Sequence, residues 1–559
     1  MKPEETPRAP GPGSWEIDLT HFPRPASPIA ERIYSTSFPE GFREGSARYG
    51  ILLDHLAYVS VDGWMYNQPV VVGAPRGART PPKLLFQLAA RLHPQLRARA
   101  RTAAKVFETM PWRQDVARWQ SKIKPARIRA HLALLATPVR DLDDAALVGH
   151  ARACIALFAE SARIHGAYTV PAMFPAGDLI AHAVEWTGLS PQKILGTLAS
   201  SSPISAGNEP TREWLLARLR SDAGARRTVE GDAEPGAIVE ELARRTDETG
   251  AAARGYFDAV GHRALTGYDV SEPVGMEVPF VMVEGLRKIL GGRGATGDAR
   301  GSIAEVRDQV PDRHRVTFDS LLDEARAASA IRDERALFND YWSAGVARRA
   351  LLEVGRRLAE RGDLPSAEHA VACLGEDLEP LLCRRDRALA TVVVGRFDAR
   401  RRAQLRTMPM HLGRSPEAPP PAEWMPGALR RVHQATLAVL SAIFGDGTAP
   451  SDKAVVRGIG VSAGTYAGPA RVVHGPADFH RLRPGDVLVA RTTSPTYNIV
   501  LPLLGAIVTD RGGALSHAAI VAREFGIPGV VGCRDATTLI ADGARVRVDG
   551  GAGECALLS

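Results

Sequence analysis

The run Thr509-Asp510-Arg511-Gly512-Gly513-Ala514-Leu515-Ser516-His517 places a nucleophile where a helix should begin. The strand-like GAIVTD delivers the chain to a Gly-Gly turn, and Ser516 is a favoured helix N-cap. His517 then falls in the first helical turn, where unpaired backbone N–H groups and the positive end of the helix dipole favour an anion. Such a setting lowers the imidazole pKa and keeps the ring neutral and nucleophilic. It also stabilises a phosphate carried on that nitrogen. Gly512 and Gly513 let the backbone approach phosphate with no Cβ in the way, and Arg511 beside them is a further phosphate-binding candidate. Read alone, the same residues also suit an ordinary helix cap and chain turn.

The elements that must position this motif differ along the chain. Residues 1–30 are Pro-rich and without period, an irregular arm. From about 85 to 440 apolar residues recur at helical spacing, as in DAALVGHARACIALFAESARIHGAY and YWSAGVARRALLEVGRRLAERG, so 31–406 is expected to be a helical domain. Ala223–Ala237 and Gly291–Ser302 are polar and expected to be loops. The stretch Thr407–Gly427 is rich in proline, Pro416, Pro419, Pro420, Pro421 and Pro426 among them, and 407–454 is expected to be a semi-extended connector with one hinge helix. About 20 residues at roughly 3.1 Å each would span some 60 Å. Beyond residue 455 the text turns β-rich: DVLVA, GAIVTD, GVVG and ARVRVDG, interrupted by one helix from about Ser516 to Phe525. The fold class is therefore multidomain, a mainly α-helical N-terminal and central region followed by a C-terminal α/β domain over 455–559.

Composition narrows the function classes. A formal charge of +7 is small for 559 residues, and no basic run resembles a nucleic-acid tail. The five cysteines are widely spaced, with no CxxC and no Cys/His cluster, so neither a disulfide framework nor a metal site is expected. The polar, Pro-rich amino terminus lacks a signal-peptide core, and the apolar stretch 498–508 falls short of the roughly 20 residues that span a bilayer. A soluble, cytoplasmic protein without nucleic-acid or membrane partners is expected.

The longer string GGALSHAAIVAREFGIPGVVG closely resembles the phosphohistidine segment of the swivelling domain in the phosphoenolpyruvate-utilising enzymes. In that family the His takes a phosphoryl group at one site and carries it to another, and a Thr, Ser or Cys precedes it; here that residue is Ser516. Arg523, Gly526 and Pro528 fall where the pattern expects them, and Gly458–Gly464, GPARVV, PGDVLVA and VDGGAGE extend the likeness over about 455–559. The resemblance implies a β/β/α swivelling domain with His517 as carrier. No GxxxxGK and no stretch resembling an ATP-grasp domain occurs, and only nine residues follow Gly550, leaving no room for the family's phosphoenolpyruvate-binding barrel. The layout is similar to that of rifampicin phosphotransferases without their nucleotide domain. It is closer still to the split phenylphosphate synthases, whose nucleotide and His modules lie on separate chains. GSWEIDLTHFPRP, YVSVDGWMY and IRDERALFNDYWSAGVARRALLEVGRRLAERGDL are similar, more weakly, to segments of the acceptor-binding region.

By resemblance, then, a separate ATP-grasp subunit with ATP and Mg2+ loads the β-phosphoryl group on His517. The swivelling domain passes it to a hydroxyl of a small, hydrophobic or phenolic molecule held in the helical domain. An attacking hydroxyl benefits from a base and from cations around the phosphoryl group. His55, His165 and His182 are candidate bases, Arg348 and Arg349 candidate phosphate ligands with Arg356 and Arg357 two turns on, Gly63–Tyr66 a candidate pocket wall, and Gly196–Gly207 a candidate ligand loop. Each also has an ordinary structural reading. Two other functions stay open: a subunit of a pyruvate-directed synthase or dikinase system, and a non-enzymatic phosphohistidine acceptor in signalling.

Overall fold

The computed structural model describes residues 7–199, 201, 210–291, 299–406, 408–444, 451, 454–493, 497, 500–514 and 516–558. Most of the expected loops at 196–207 and 291–302 and of the break at 445–453 lies outside the described residues, as does Leu515. The chain forms two compact units that interleave in sequence. The first comprises Met1–Met173, Gly267–Glu272 and Phe338–Thr436; the second comprises Phe174–Thr266, Pro273–Leu337 and Leu437–Ser559.

The first unit holds a four-stranded antiparallel sheet in the order β2-β3-β1-β4, made of β1 (Ser14–Ile17), β2 (Leu53–Val61), β3 (Trp64–Val71) and β4 (His411–Gly413). The expected arm thus contributes a strand, and the expected helical region contains a hairpin. Helical periodicity elsewhere had hidden it, yet its turn is written in Asp62-Gly63. Both residues take positive φ, 51° and 83°, as a two-residue hairpin with the right twist requires. Trp15, Trp64, Tyr66 and Leu412 bury one face of this sheet.

The Pro-rich connector is bound rather than free. Its β4 pairs with β1, Leu412 and Met425 are buried, and His433 Nε2 lies 2.7 Å from the Pro420 carbonyl oxygen. Proline fixes φ without forbidding a short edge strand, so this stretch is laid against the unit rather than fully extended.

Two long helices organise the rest of the unit. Pro28–Tyr49 starts at the Ser27 cap, whose hydroxyl accepts from the Ala30 N–H, and stops at Gly50 with φ 69°. It crosses the helix Asp144–Thr187 at glycines: a Cβ on Gly41 would stand 1.8 Å from the Arg163 carbonyl oxygen, and one on Gly166 would stand 2.3 Å from that of Phe38. Backbone contact at this crossing seats His165 beside Phe38, with ring centroids 5.4 Å apart. Asp144–Thr187 is also long and apolar enough, by composition alone, to cross a membrane. Its fully buried Leu147, Ala151 and Phe158, together with buried His165, are those of a core helix.

The second unit carries an eight-stranded sheet in the order β5-β12-β11-β7-β8-β9-β10-β6. Its strands are β5 (Val455–Arg457), β6 (Ile459–Ser462), β7 (Thr465–Val473), β8 (Val487–Ala490), β9 (Ala506–Thr509), β10 (Gly529–Val531), β11 (Arg545–Asp549) and β12 (Glu554–Leu557). Strands β7 to β10 run parallel, and the flanking pairs are antiparallel. VLVA and AIVT are buried at every position because both faces are covered, as is usual for parallel strands. One face packs within the domain around Val487, Val508 and Val546; the other joins Leu488, Ile507 and Ala518 to Leu179, Ile180, Phe318 and Leu322 of the unit's helices. Ala223–Ala237, expected to be a loop, forms the helix Ala223–Glu230 and the start of Pro235–Arg244. Asp222 caps the first, and Leu215, Val229, Ile238 and Leu286 bury its apolar side, so tertiary packing outweighs the polar text.

The glycine crossing gives a stability test. Gly41→Ala forces backbone apart and should cost about 1–3 kcal/mol, as overpacking does, seen as a lowered thermal midpoint. Gly149→Ala, an exposed helical site with nothing near its Cβ, should leave the midpoint unchanged or slightly raised.

Candidate functional site

His517 opens the helix His517–Glu524, and Ser516 caps it by accepting from the Ala519 N–H at 3.3 Å. The turn before it needs Gly512: φ is 118°, and a Cβ there would sit 2.6 Å from the Ser516 hydroxyl oxygen. Gly513 accepts the Ser516 N–H at 2.9 Å, closing the turn. The Arg511 backbone N–H donates to the Arg491 carbonyl, and both guanidinium groups act on the charge of buried Asp510. Arg523, from the far end of the helix, donates to the carbonyls of Ala514 at 2.7 Å and Val461 at 3.3 Å, locking the loop against β6.

The imidazole of His517 lies 2.9 Å, through Nδ1, from the hydroxyl oxygen of buried Thr493. With Nδ1–H donated to that oxygen, Nε2 carries the lone pair. Burial, and then the positive charge of Arg332, lower the ring's pKa from 6.5 to about 3. Burial and the same Arg332 lower Arg523 to about 10. The site therefore combines a neutral nucleophilic nitrogen, a helix N-terminus and the guanidinium charge of Arg332, which is chemistry suited to holding a phosphoryl group on Nε2. Neither Thr493 nor Arg332 was singled out from sequence. Only the fold brings them to His517, from 24 and 185 positions away.

The remaining sequence candidates are dispersed. In the second unit, His182 Nδ1 lies 2.8 Å from the Asp178 carbonyl oxygen, and its ring leans on Trp186. In the first, His55 is buried between Asp54 and Arg43, and burial lowers its pKa. Tyr66 donates to the Pro409 carbonyl at 2.7 Å, and burial raises its hydroxyl to about 12. Arg348 is paired with Glu368 and donates to the Val270 carbonyl, while Arg349 donates to those of Thr137 and Leu134. Arg356 and Arg357 are paired with Glu353, Glu360 and Asp144. Tyr66, Arg348 and Arg349 are thus engaged as struts, which corrects the expectation that they meet a ligand.

His165 is different. Its Nδ1 lies 2.8 Å from Oδ2 of fully buried Asp340. A second pair faces it: His21 Nδ1 is 2.7 Å from Asp18 Oδ2, and the two imidazoles stand edge to face at 5.7 Å. Asp18, His21 and Asp340 were missed, although Asp-x-x-His inside GSWEIDLTHFPRP was legible as a possible pair. Among the described residues no group of three or more His, Cys, Asp or Glu side chains converges to hold a metal.

Residues 482–553 match the family of PEP-utilising enzyme mobile domains, and the C-terminal domain is one of these. The chain is 30% identical over 400 residues to a rifampicin phosphotransferase of Streptomyces sp, covering 67% of this chain and 42% of that protein. It is 26% identical over 313 residues to the uncharacterized phosphotransferase YvkC of Bacillus subtilis, 54% of this chain and 36% of that one. With the phosphoenolpyruvate synthase of Escherichia coli it shares 46% over 96 residues, 17% of this chain and 12% of the synthase. The chain thus spans well under half the length of the curated relatives it matches.

Because the ring's pKa falls from 6.5 to about 3, the unfolded state binds a proton that the folded state refuses between those values. Stability attributable to His517 should be intact above pH 6.5 and decline as pH falls toward 3. His517→Asn should remove that decline in chemical denaturation measured along the pH series. Arg332→Met should raise the ring's pKa toward 6.5 in an NMR titration.

Proposed function

We propose that this chain is the His-carrier and acceptor-binding part of an ATP-dependent phosphotransferase that makes a phosphoester from a small hydroxyl compound. The observation that carries the reading is the neutral His517 imidazole, its Nδ1 against Thr493 and Arg332 acting on its charge. Nε2 attacks the donor phosphorus as the bond from phosphorus to the donor's leaving group breaks and that group departs with the electron pair, the Nδ1 proton stays against Thr493, and the phosphoryl oxygens meet Arg332 and the helix N-terminus. The acceptor oxygen then attacks phosphorus, the P–Nε2 bond breaks, and the ring leaves as neutral imidazole. A phosphotransferase activity is supported by the resemblance to rifampicin phosphotransferase, which extends into the helical region. The likeness to phosphoenolpyruvate synthase is confined to the mobile domain and speaks for the carrier step, not for pyruvate as acceptor.

The donor side follows from the family. ATP with Mg2+ is held by an ATP-grasp module on a separate chain, and the β-phosphoryl group is the one transferred; among the described residues of this chain no group of three acidic, His or Cys side chains converges. The acceptor is a hydrophobic or phenolic molecule, and the protein works in the cytoplasm.

Incubation with phosphoramidate, a small donor that needs no partner, should place an acid-labile phosphoryl group on His517, seen by mass spectrometry. His517→Asn should lose it completely. Label from β-labelled rather than γ-labelled ATP should reach His517 once an ATP-grasp protein is added. An unmodified His517 under every donor would overturn the carrier role.

A further inference from the structure

Between Asp62 and Glu108 the chain contains no Asp or Glu and eight Lys or Arg residues. After β3 this stretch forms two consecutive helices of the first unit, Lys83–Leu92 and Pro94–Thr109. The first packs inward through buried Ala90 and through Phe86, whose ring centroid lies 6.3 Å from that of Trp424. Its other side is bare. Leu84, Leu88 and Leu92 recur at the four-residue spacing that shares a helix face, with Leu85 beside them, and all four are 52% to 80% exposed. The other exposed large apolar side chains among the described residues, Trp214, Val316 and Leu405 for example, stand singly. A lone one needs no explanation, whereas a row does.

The charges near the row are of one sign. Lys83 and Arg91 sit on the same helix, and Arg97, Arg101 and Lys105 recur at every fourth residue of the next. All five are exposed, and among the described residues none has an ion pair. Surface arginines elsewhere, Arg163, Arg244 and Arg356 among them, are paired with carboxylates. Like charges four apart on a helix repel, so the fold itself gains nothing from this row. Its counterpart must meet leucines and cations together. An anionic bilayer does so, with acyl chains directly beneath the headgroup charges. Protein interfaces draw their affinity chiefly from Trp, Tyr and Arg, with Leu under-represented and Lys depleted, and here the helix's one aromatic, Phe86, is turned inward. A second copy seated on the same face would set cations against cations. Nucleic acid offers phosphates but nothing for the leucines.

We propose that the helix Lys83–Leu92 lies on an anionic membrane surface, its leucine row entering the boundary between headgroups and acyl chains while the five cations meet lipid phosphates. Such peripheral contact needs neither a signal core nor a spanning stretch, and the cytoplasmic leaflet is the one that carries anionic lipid. It is independent of the carrier role of His517.

The probes are unilamellar vesicles of phosphatidylcholine, alone or with about 30% phosphatidylglycerol, sedimented with the full chain in about 0.1 M NaCl. The wild type should sediment with the anionic vesicles, stay in solution with the neutral ones, and be released as salt rises to about 1 M. The triple variant Arg97→Gln, Arg101→Gln, Lys105→Gln should partition about a hundredfold less, since each Lys or Arg near such a surface contributes about fivefold. The double variant Leu84→Ser, Leu88→Ser should partition at least about tenfold less. Both alter exposed side chains, and an unchanged thermal midpoint confirms the fold. Should the double variant lose that midpoint, Leu88→Ser alone takes its place and should still partition several-fold less than wild type. Wild-type protein that ignores anionic vesicles, or sediments equally with neutral ones, would overturn the proposal, as would variants that partition like wild type. In the first case an acidic protein becomes the occupant to pursue.

Discussion

The uncharged imidazole of His517 is the constraint on which the second unit turns. Protonating it would set a cation inside a buried site already influenced by Arg332, and each unit of pKa depression represents about 1.4 kcal/mol of preference for the neutral form. Adding a phosphoryl group reverses the sign of that electrostatics. The guanidinium that repelled a ring proton now attracts oxygen charge, and the helix N-terminus acts in the same sense. One arrangement therefore keeps the nucleophile ready before loading and stabilises it afterwards.

The local fold follows from the need to hold that ring. Strand β9 is buried at every position because both sheet faces are covered, and it ends in a turn that only glycine at 512 accommodates, because a Cβ there would collide with the capping Ser516. Ser516 is thereby fixed as a cap, which places His517 in the first turn with little freedom. Arg523 ties the C-terminal part of the same short helix to the Ala514 carbonyl, so the eight-residue helix is anchored at both ends. Isolated helices of that length do not persist in water, and these tertiary bonds supply what propensity lacks.

What was legible in the sequence divides along the same line. The GGALSH run, Ser516 and the four C-terminal strand segments could be read because their signals are local: glycines at a turn, a capping hydroxyl, unbroken apolar runs. The 62–63 hairpin was equally local and was passed over among helical periods. Thr493 and Arg332 could not be read, because nothing in their own neighbourhoods marks them; they gain a role only when the chain brings them to the imidazole. The polar text of 223–237 misled in the opposite sense, since Asp222 and a buried apolar stripe make helices of it. The Pro-rich connector misled because composition describes the unbound chain, whereas pairing of β4 with β1 holds it in place.

The histidines of the two units show why a lone histidine is a poor guide and what surrounds its partner a better one. His55, His165 and His182 are equivalent as letters. His182 Nδ1 faces the Asp178 carbonyl of its own helix at 2.8 Å and the Asp178 carboxylate only at 3.4 Å. His55 shares its carboxylate with Arg43 and Arg99, whose charges drain the carboxylate's pull on the ring. At His21 the facing carboxylate takes its other hydrogen bonds from neutral donors, two backbone N–H groups and a tyrosine, so its charge is directed at the imidazole. A carboxylate so arranged stabilises an imidazolium once a proton arrives. The distinction lies in what else each carboxylate touches, and only the folded chain decides that.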